Sequence, residues 1–194
     1  MHGRIIFLLE EPSMRVLLDA WLPRLFPGWA AGEHFLCIAH EGKSDLDRSI
    51  PRKLVAWGIP QDRFVIVRDN DNADCIGLKA RLQTLCQHSG RPHTLIRLVC
   101  QELESWYLGD LAALAVAFDQ PKANSPAQRK RFSDPDTWQK PSVEVKRLAP
   151  TFQKISGARA MAQHLNTQRS HSHSLRVFVA GLQRLASSMG YQAP

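Results

Sequence analysis

The sequence lacks any long hydrophobic run. No apolar stretch in its 194 residues approaches the roughly 20 residues that a membrane-spanning helix needs. The short apolar run near the N-terminus ends in two acidic residues, whereas a signal peptide would continue to small residues and a cleavage site. We therefore expect a cytoplasmic protein that has no membrane partner.

The sequence also has few cysteines and no complete nucleotide-binding loop. Its four cysteines form no Cys-x-x-Cys pair, which argues against a zinc ribbon and a disulfide framework and favours reduced, partly buried thiols. Gly42-Lys43-Ser44 resembles the end of a phosphate-binding loop, but Cys37 stands where such a loop requires its upstream glycine. A nucleotide-binding P-loop is therefore excluded.

Positive charge is balanced in the first part of the chain and in excess in the second. Residues 1–118 hold 13 Lys and Arg against 14 Asp and Glu, whereas residues 119–194 hold 12 against 4. Such asymmetry is typical of a basic surface that meets a polyanion such as nucleic acid. It also suits docking on an acidic protein partner, or simply solubility.

Strand-like and helix-like patterns alternate through the first half. The predicted strands are Arg4–Leu9, His34–Ala39, Arg63–Arg68 and His93–Cys100, and the predicted helices are Met14–Phe26 with Ser13 as N-cap, Asp47–Trp57 and Cys75–His88. Near-continuous apolar strands that alternate with helices indicate a parallel sheet covered on both faces. We therefore expect an α/β fold, a parallel sheet flanked by helices.

The second half is less regular. Residues 120–142 are rich in Pro, Asn, Ser, Lys and Arg, which predicts a loop or linker. Shorter helices are predicted at Val143–Leu148, Ala158–Leu165 and Leu175–Ser187. We therefore expect an α/β domain over residues 1–118 and a basic, mostly helical C-terminal appendage, residues 119–194, packed on it.

Acidic residues follow three of the four predicted strands. They are Glu10 and Glu11, Asp69 and Asp71, and Glu102 and Glu104. Because ligands of such sheets bind beyond the carboxyl ends of the strands, we expect these side chains to converge. Converging carboxylates repel one another unless a cation neutralises them, and oxygen ligands suit Mg²⁺ or Mn²⁺. Substrate phosphates usually complete such a site, which predicts phosphodiester or phosphoryl chemistry.

Each acid taken alone has a simpler explanation. Glu11, Asp71 and Asp74 could each cap the helix that follows its strand, as carboxylates near helix N-termini commonly do. The Asp-Asn-Asp sequence directly after a buried strand, together with two more acidic pairs at strand ends, favours the metal interpretation instead.

Several segments resemble the Toprim domain, the magnesium-dependent module of topoisomerases, primases and OLD-type nucleases. Leu8-Leu9-Glu10-Glu11-Pro12-Ser13 looks like its strand-Glu-Gly opening, and Val67-Arg68-Asp69-Asn70-Asp71 resembles its Asp-x-Asp strand. Nearly the whole chain is similar to a Toprim-like bacterial family, domain of unknown function 4276, and more remotely to RloB-like proteins. The most specific segments are residues 68–75 and 100–110, and residues 169–174, before an apolar helix, also look like that family's C-terminal end.

The resemblance implies roles for the acidic residues. Glu10 would be a metal ligand or general base, and Asp69 and Asp71 would be metal ligands. Glu104, in a Glu-x-Trp setting, would be a further acid of the site, and Glu102 would share that role. In one departure from the Toprim pattern, Glu11 stands where that pattern has glycine.

Basic residues supply candidate phosphate contacts. Lys154 is a candidate transition-state clamp, because phosphoryl transfer needs positive charge beside the metal. Arg129, Lys130 and Arg131 form a basic string that suits contacts to a nucleic-acid backbone, although such a run also suits a solvated loop.

The leading hypothesis is a Mg²⁺-dependent (or Mn²⁺-dependent) nuclease of Toprim-like type, with DNA favoured over RNA as its substrate. By analogy with the families it resembles, it would be the effector of an antiviral defence system with an ATPase partner. Two alternatives stay open. One is a phospho-acceptor signalling domain with Asp69 as acceptor, and the other is a non-catalytic metal-binding subunit of an ATPase complex.

Overall fold

Four parallel strands form one sheet in the order β2-β1-β3-β4. The strands are β1 (Ile5–Leu9), β2 (Phe35–Ala39), β3 (Arg63–Asp69) and β4 (Leu95–Val99). The computed structural model describes residues 3–191; Met1, His2 and residues 192–194, the end of the predicted appendage, lie outside this range. The α/β class and the four predicted strands are confirmed, with strand ends shifted by one or two residues.

The register brings the ends of the four strands to one edge of the sheet. Leu9 lies beside both Ala39 and Val67, and Asp69 lies beside Val99. Residues 9–11, 39–42, 69–72 and 99–102 therefore form a common edge, which we call the carboxyl edge. This is where ligands of open α/β sheets bind.

Three helices connect the strands: α1 (Pro12–Leu25), α2 (Lys43–Ala56) and α3 (Cys75–His88). Helix α3 has its predicted bounds because the Asp74 carboxylate caps it, accepting hydrogen bonds from the N–H groups of Ile76 and Gly77 at 3.0 and 2.9 Å. Helices α1 and α2 begin earlier than predicted. The prediction of Ser13 as N-cap was wrong, because α1 begins at Pro12 and Glu11 occupies the capping position.

The second half of the chain is more helical than the sequence predicted. Its helices are α4 (Glu104–Gly109), α5 (Leu111–Ala117), α6 (Pro126–Arg131), α7 (Pro141–Leu148), α8 (Lys154–Ala162) and α9 (His173–Ser188). The prediction of a loop over residues 120–142 was wrong. This segment contains α6, the start of α7 and two 3₁₀ turns, Pro121–Asn124 and Pro135–Thr137. Each of these four elements begins with a proline, whose fixed φ suits the first helical position.

Each face of the sheet has its own hydrophobic core. On one face, α2 and α3 bury residues such as Ile50 and Leu82. The larger core on the other face combines Phe7 of β1, Trp21 of α1 and Phe178 of α9. It therefore joins side chains from both sides of residue 118, and α8 packs closely on α1. The position of a domain boundary stays a prediction.

The four cysteines are free thiols, two buried and two half-buried, in agreement with the sequence. None of the helices described between residues 3 and 191 is long and apolar enough to cross a membrane.

Candidate functional site

Glu10 and Asp69 lie side by side at the centre of the carboxyl edge. Glu10 directly follows β1, and its Oε2 accepts a hydrogen bond from the backbone N–H of Asp69 at 3.0 Å. Asp69 ends β3, and the alternation of side chains along a strand directs its carboxyl to the same face of the sheet as Val67, the face of the larger core. Both acids are buried, with 9% and 6% of their surface exposed.

Burial raises the pKa of both carboxyl groups. The pKa of Asp69 lies well above its usual range because of burial and the nearby charges of Glu10 and Glu11. Burial and the charge of Asp71 raise the pKa of Glu10, opposed by the N–H of Asp69 and the guanidinium of Arg68. Without a cation, this environment therefore disfavours the charged form of both groups relative to water.

Glu104 is the third buried acid. It is the first residue of α4 and is only 1% exposed. Burial raises its pKa to about 7, even though the Lys154 ammonium lowers it. Tyr107, one turn later in α4, is fully buried, and its pKa is raised well above the usual value by burial and by the charges of Glu104 and Glu11. The phenol therefore lies next to the acids.

Several polar atoms of this region are buried without a hydrogen-bond partner among residues 3–191. They are Asp69 Oδ1, Glu104 Oε2, the Tyr107 hydroxyl and Arg68 Nε. Leaving such an atom unpaired typically costs about 1–3 kcal/mol, so each calls for an explanation such as a bound ion. We call Glu10, Asp69 and Glu104 the inner acids. They come from three different elements, and two of them have an oxygen free for a ligand.

Three further carboxylates, Glu11, Asp71 and Glu102, surround the inner acids, and we call them the outer acids. Each already has a partner in the protein. The partners are Lys154 Nζ at 2.8 Å, Lys43 Nζ at 3.0 Å and the backbone N–H of Ser142 at 2.7 Å, respectively. The outer acids are therefore neutralised or hydrogen-bonded without a metal ion, whereas two of the inner acids, Asp69 and Glu104, keep a buried oxygen without a partner in the described part of the chain.

Lys154 places a positive charge at the rim of the site. It is the first residue of α8, and its side chain is about half exposed. Burial lowers its pKa, but the hydrogen bond to Glu11 and the charges of Glu104 and Asp69 outweigh burial, so the pKa is raised. The ammonium therefore stays charged at neutral pH.

The backbone around these acids adopts an uncommon conformation. Asp71, Asn72 and Gln101 have left-handed φ angles of 48°, 62° and 65°. Hydrogen bonds hold them in one turn, in which the Asp71 N–H donates to the Gln101 carbonyl at 3.2 Å and the Asn72 N–H to Gln101 Oε1 at 2.7 Å. Asp and Asn adopt the left-handed region of φ more readily than other residues, whereas Gln does not, so the conformation of Gln101 costs the most free energy of the three. This turn fixes the loops that follow β3 and β4 against each other.

The donor set suits a hard divalent cation, although the side chains are not yet arranged around one. Within the described range, 3–191, no three His, Cys, Asp or Glu side chains are grouped to hold a metal ion together. The open positions are carboxyl oxygens, which Mg²⁺ and Mn²⁺ prefer. The chemistry of the residues therefore fits such a cation, whose binding requires the carboxylates to turn toward a common centre.

The structure brings most of the acidic residues singled out in the sequence to one region. Glu10, Asp69 and Glu104 are its inner acids, Lys154 lies at their rim, and Asp71 is near enough to raise the pKa of Glu10. The Glu102 carboxylate binds the start of α7 instead.

The predicted phosphate contacts lie on α6, and two of the three cations already have partners. The Arg131 guanidinium pairs with Glu144 at 3.1 Å and lies over the Trp138 ring, 4.8 Å from its centroid. Arg129 donates to the Asn124 carbonyl at 2.8 Å. No partner of Lys130 is found in the described part of the chain.

The sequence did not reveal the contacts that three residues of the site make. Glu11 was expected among the strand-end acids or as a helix cap, whereas in the structure its carboxylate pairs with Lys154. Tyr107 follows Glu104 by three residues, a spacing that places both side chains on one face of a helix. This spacing could have indicated from the sequence that Tyr107 lies near the acids. Arg68, a charged residue within an apolar strand, lies with its Nε 3.9 Å from Glu10 Oε2 and pairs with Asp47 at 2.6 Å.

Comparisons with known proteins place this fold. No curated protein matches the chain. A solved structure of the C-terminal region of the Burkholderia pseudomallei OLD protein is similar with a TM-score of 0.57 and 15% identity, covering 97% of this chain and 100% of that one. This likeness confirms the Toprim-like fold expected from the sequence. The sequence pattern of a domain of unknown function, DUF4276, matches residues 9–183. The chain therefore belongs to the DUF4276 family.

Proposed function

We propose that this protein is a Mg²⁺-dependent phosphodiesterase that cleaves nucleic acid, a nuclease of the Toprim-like type. The observation that carries the proposal is the convergence of three buried carboxyl groups, on Glu10, Asp69 and Glu104, beside the Lys154 ammonium. The likeness of the fold to an OLD protein region supports it, because the OLD-type Toprim proteins that the sequence resembles are nucleases. We propose DNA rather than RNA as the substrate.

The residues that would hold Mg²⁺ or Mn²⁺ are Glu10, Asp69, Asp71 and Glu104, with Glu102 joining them after release from Ser142. A cation bound there would lower the pKa of its water and balance the charge on phosphate oxygens. A cation bound there would favour the ionised forms of the inner acids, which burial disfavours in its absence.

Three residues would act directly on the reacting phosphate. Glu10 would act as a general base, and Glu104, with a pKa of about 7, can release or accept a proton near neutral pH. Lys154 supplies fixed positive charge for the phosphate oxygens, where charge develops in the transition state. Glu11, which pairs with Lys154 in this structure, would then share the Lys154 ammonium with the substrate phosphate.

The proposal also covers the contacts to nucleic acid, a protein partner and the location in the cell. Arg129, Lys130 and Arg131 would contact the nucleic-acid backbone. An ATPase partner, a role as effector in antiviral defence and a cytoplasmic location would follow from the resemblance to defence-associated Toprim families.

The alternative of a phospho-acceptor domain is less well supported. An acceptor carboxylate attacks as the ionised form and must be reached by the phosphoryl donor. Asp69, the candidate acceptor, is buried and its pKa is raised well above its usual range. Burial limits the access that a phosphoryl donor needs, and this argues against Asp69 as an acceptor.

The test is incubation of the protein with supercoiled plasmid, single-stranded DNA and RNA, in Mg²⁺, Mn²⁺ or EDTA. We expect cleavage with either cation and none in EDTA. An Asp69→Asn variant should be inactive, and Asp134→Asn, which changes an exposed aspartate, should cleave like the wild type. The absence of cleavage on all three substrates would favour the non-catalytic subunit. Phosphorylation of Asp69 by acetyl phosphate, detected by mass, would favour the acceptor.

A further inference from the structure

A basic groove lies beside β2, at the edge of the sheet and outside the acidic site. It has a volume of about 600 Å³ and is lined by α2 side chains, among them Arg48, Ser49, Arg52 and Lys53, and by His40 after β2. We call it the α2 groove. Because β2 is an edge strand, no further strand from residues 3–191 fills this side of the sheet.

The sequence of α2 separates two functions on two faces of the helix. Leu46, Ile50 and Leu54 recur at four-residue spacing and are buried in the core. Arg48 and Arg52 recur at the same spacing on the groove face, about 6 Å apart along the axis at 1.5 Å per residue. The helix therefore presents its cations as an ordered row.

These cations are not neutralised within the protein. Arg48, Arg52 and Lys53 have no hydrogen-bond or ion-pair partner anywhere in residues 3–191. Of the two carboxylates of α2, Asp47 lies outside the lining of the groove, whereas Asp45 lies within it beside the three cations. Asp47 binds two arginines at 2.6 and 2.9 Å, and Asp45 accepts a hydrogen bond from the N–H of Glu41 at 3.2 Å.

This pattern contrasts with the basic C-terminal part. Seven of its 12 cations pair with carboxylates or carbonyls: Arg131 and Arg147 with Glu144, Lys154 with Glu11, Arg169 with Asp110, and Arg129, Lys146 and Arg176 with backbone carbonyls. Three unpaired cations in one concave surface attract a polyanion more strongly than paired ones. The groove therefore concentrates positive charge in the half of the chain whose net charge is near neutral.

Buried contacts connect the groove to the candidate site. His40 is 5% exposed, and its Nδ1 lies 2.8 Å from the Leu9 carbonyl oxygen while its Nε2 lies 2.8 Å from Ser49 Oγ. Two residues later, the Gly42 N–H donates to the Glu10 carbonyl at 2.9 Å. Glu10 follows β1 and His40 follows β2, and these neighbouring strands are about 4.8 Å apart. The end of the groove at His40 is therefore about one strand spacing from the backbone of Glu10.

We infer that the α2 groove binds the phosphate backbone of the nucleic acid on one side of the cleaved bond. This inference rests on the proposed function, and it adds a binding path that the net charge of the sequence does not indicate. Arg48, Arg52 and Lys53 contact successive phosphates. Because phosphate contacts carry no sequence information, they position the strand without selecting a sequence.

The test measures binding of fluorescein-labelled single-stranded and duplex DNA by anisotropy, in EDTA so that metal-dependent cleavage is absent. The triple variant Arg48→Gln, Arg52→Gln, Lys53→Gln should raise Kd by about tenfold or more for both probes. The slope of log K against log salt should fall in magnitude by about 2 to 3, at 0.7 to 0.9 per lost contact. A matched control, Lys79→Gln, Lys122→Gln, Arg184→Gln, removes the same charge from exposed cations outside the groove and should change Kd far less.

The outcomes separate this inference from the proposed function. Equal losses in the two triple variants would overturn it, because the effect would then be one of net charge. Unchanged binding after neutralising the groove would also overturn it and would point to an acidic protein partner there. DNA binding that depends on the groove, in a protein that never cleaves, would contradict the nuclease proposal while the groove assignment stood. Thermal unfolding of both variants checks that they fold.

Discussion

The inner and outer acids of the carboxyl edge differ in the hydrogen-bond and ion-pair partners that the protein gives their carboxyl oxygens. Glu11, Asp71 and Glu102 each have a lysine or a backbone N–H within 3.0 Å. Two inner acids keep an oxygen with no partner in the described chain, and all three have raised pKa values. Folding alone thus satisfies the outer layer, whereas the inner layer remains costly without a cation. The difference indicates which carboxylates are arranged for a ligand.

The largest effect is expected from an inner acid. Asp69→Asn should reduce metal-dependent cleavage by more than about 100-fold, since even residues that only support metal ligands typically cost 10–100-fold. Its thermal unfolding midpoint at pH 8 should be equal to or above that of the wild type, because a neutral amide replaces a carboxyl whose charged form is penalised by burial. A variant that fails to fold would mean that Asp69 has a structural role instead.

The second effect concerns the two lysines that hold outer acids. Lys154→Ala should lower the rate of cleavage by about 100-fold, as the loss of a group that stabilises transition-state charge typically does. Lys43→Ala removes a comparable exposed ion pair, with Asp71, and should change the rate much less. Similar rates in the two variants would show that Lys154 has no special role. Neither substitution should alter stability by more than about 1 kcal/mol, because both pairs are exposed.

The third effect is a dependence of stability on pH. The folded pKa of Glu104, about 7, lies above its ordinary value of 4.5, so the folded state binds more protons than the unfolded state between these values. The free energy of unfolding of the metal-free protein should therefore fall as pH rises from about 4.5 through about 7, by about 3 kcal/mol from this group. Denaturant titrations in EDTA at several pH values measure it. Glu104→Gln should flatten the decline, and an unchanged decline would contradict the assigned pKa.

The smallest effect is expected on α6. Neutralising Arg129, Lys130 and Arg131 together should weaken DNA binding by a few-fold and reduce the salt slope by less than the roughly 2 to 3 that three full phosphate contacts would give. Two of these cations already have partners within the protein. If this variant loses more DNA affinity than the α2 groove variant, the main binding surface lies in the C-terminal part.

Local signals in the sequence predict the strands and the acids that follow them. The apolar runs and the Asp-Asn-Asp loop are both contained in short segments, and the side chain of Asp74 fixes the start of α3 within three residues. The prolines of residues 120–142 are equally local, but they were interpreted as breakers when they begin helices.

Contacts between distant residues could not be predicted in the same way. Lys154 reaches Glu11 across 143 residues, and that pair exists only because α8 packs on α1. The pair between Arg131 and Glu144 likewise depends on how α6 and α7 lie relative to each other, whereas Arg147 and Glu144 are three residues apart in α7 and form a local pair. A count of charges does not show which of them are neutralised.

Titration of Mn²⁺ into the protein, without nucleic acid at pH 7.5 and followed by electron paramagnetic resonance or calorimetry, tests most directly whether the inner acids form a metal site. We predict that the wild type and Asp134→Asn bind one or two ions, and that Asp69→Asn weakens this binding at least about tenfold. Equal binding by the Asp69→Asn variant, or no binding by the wild type, would contradict the account.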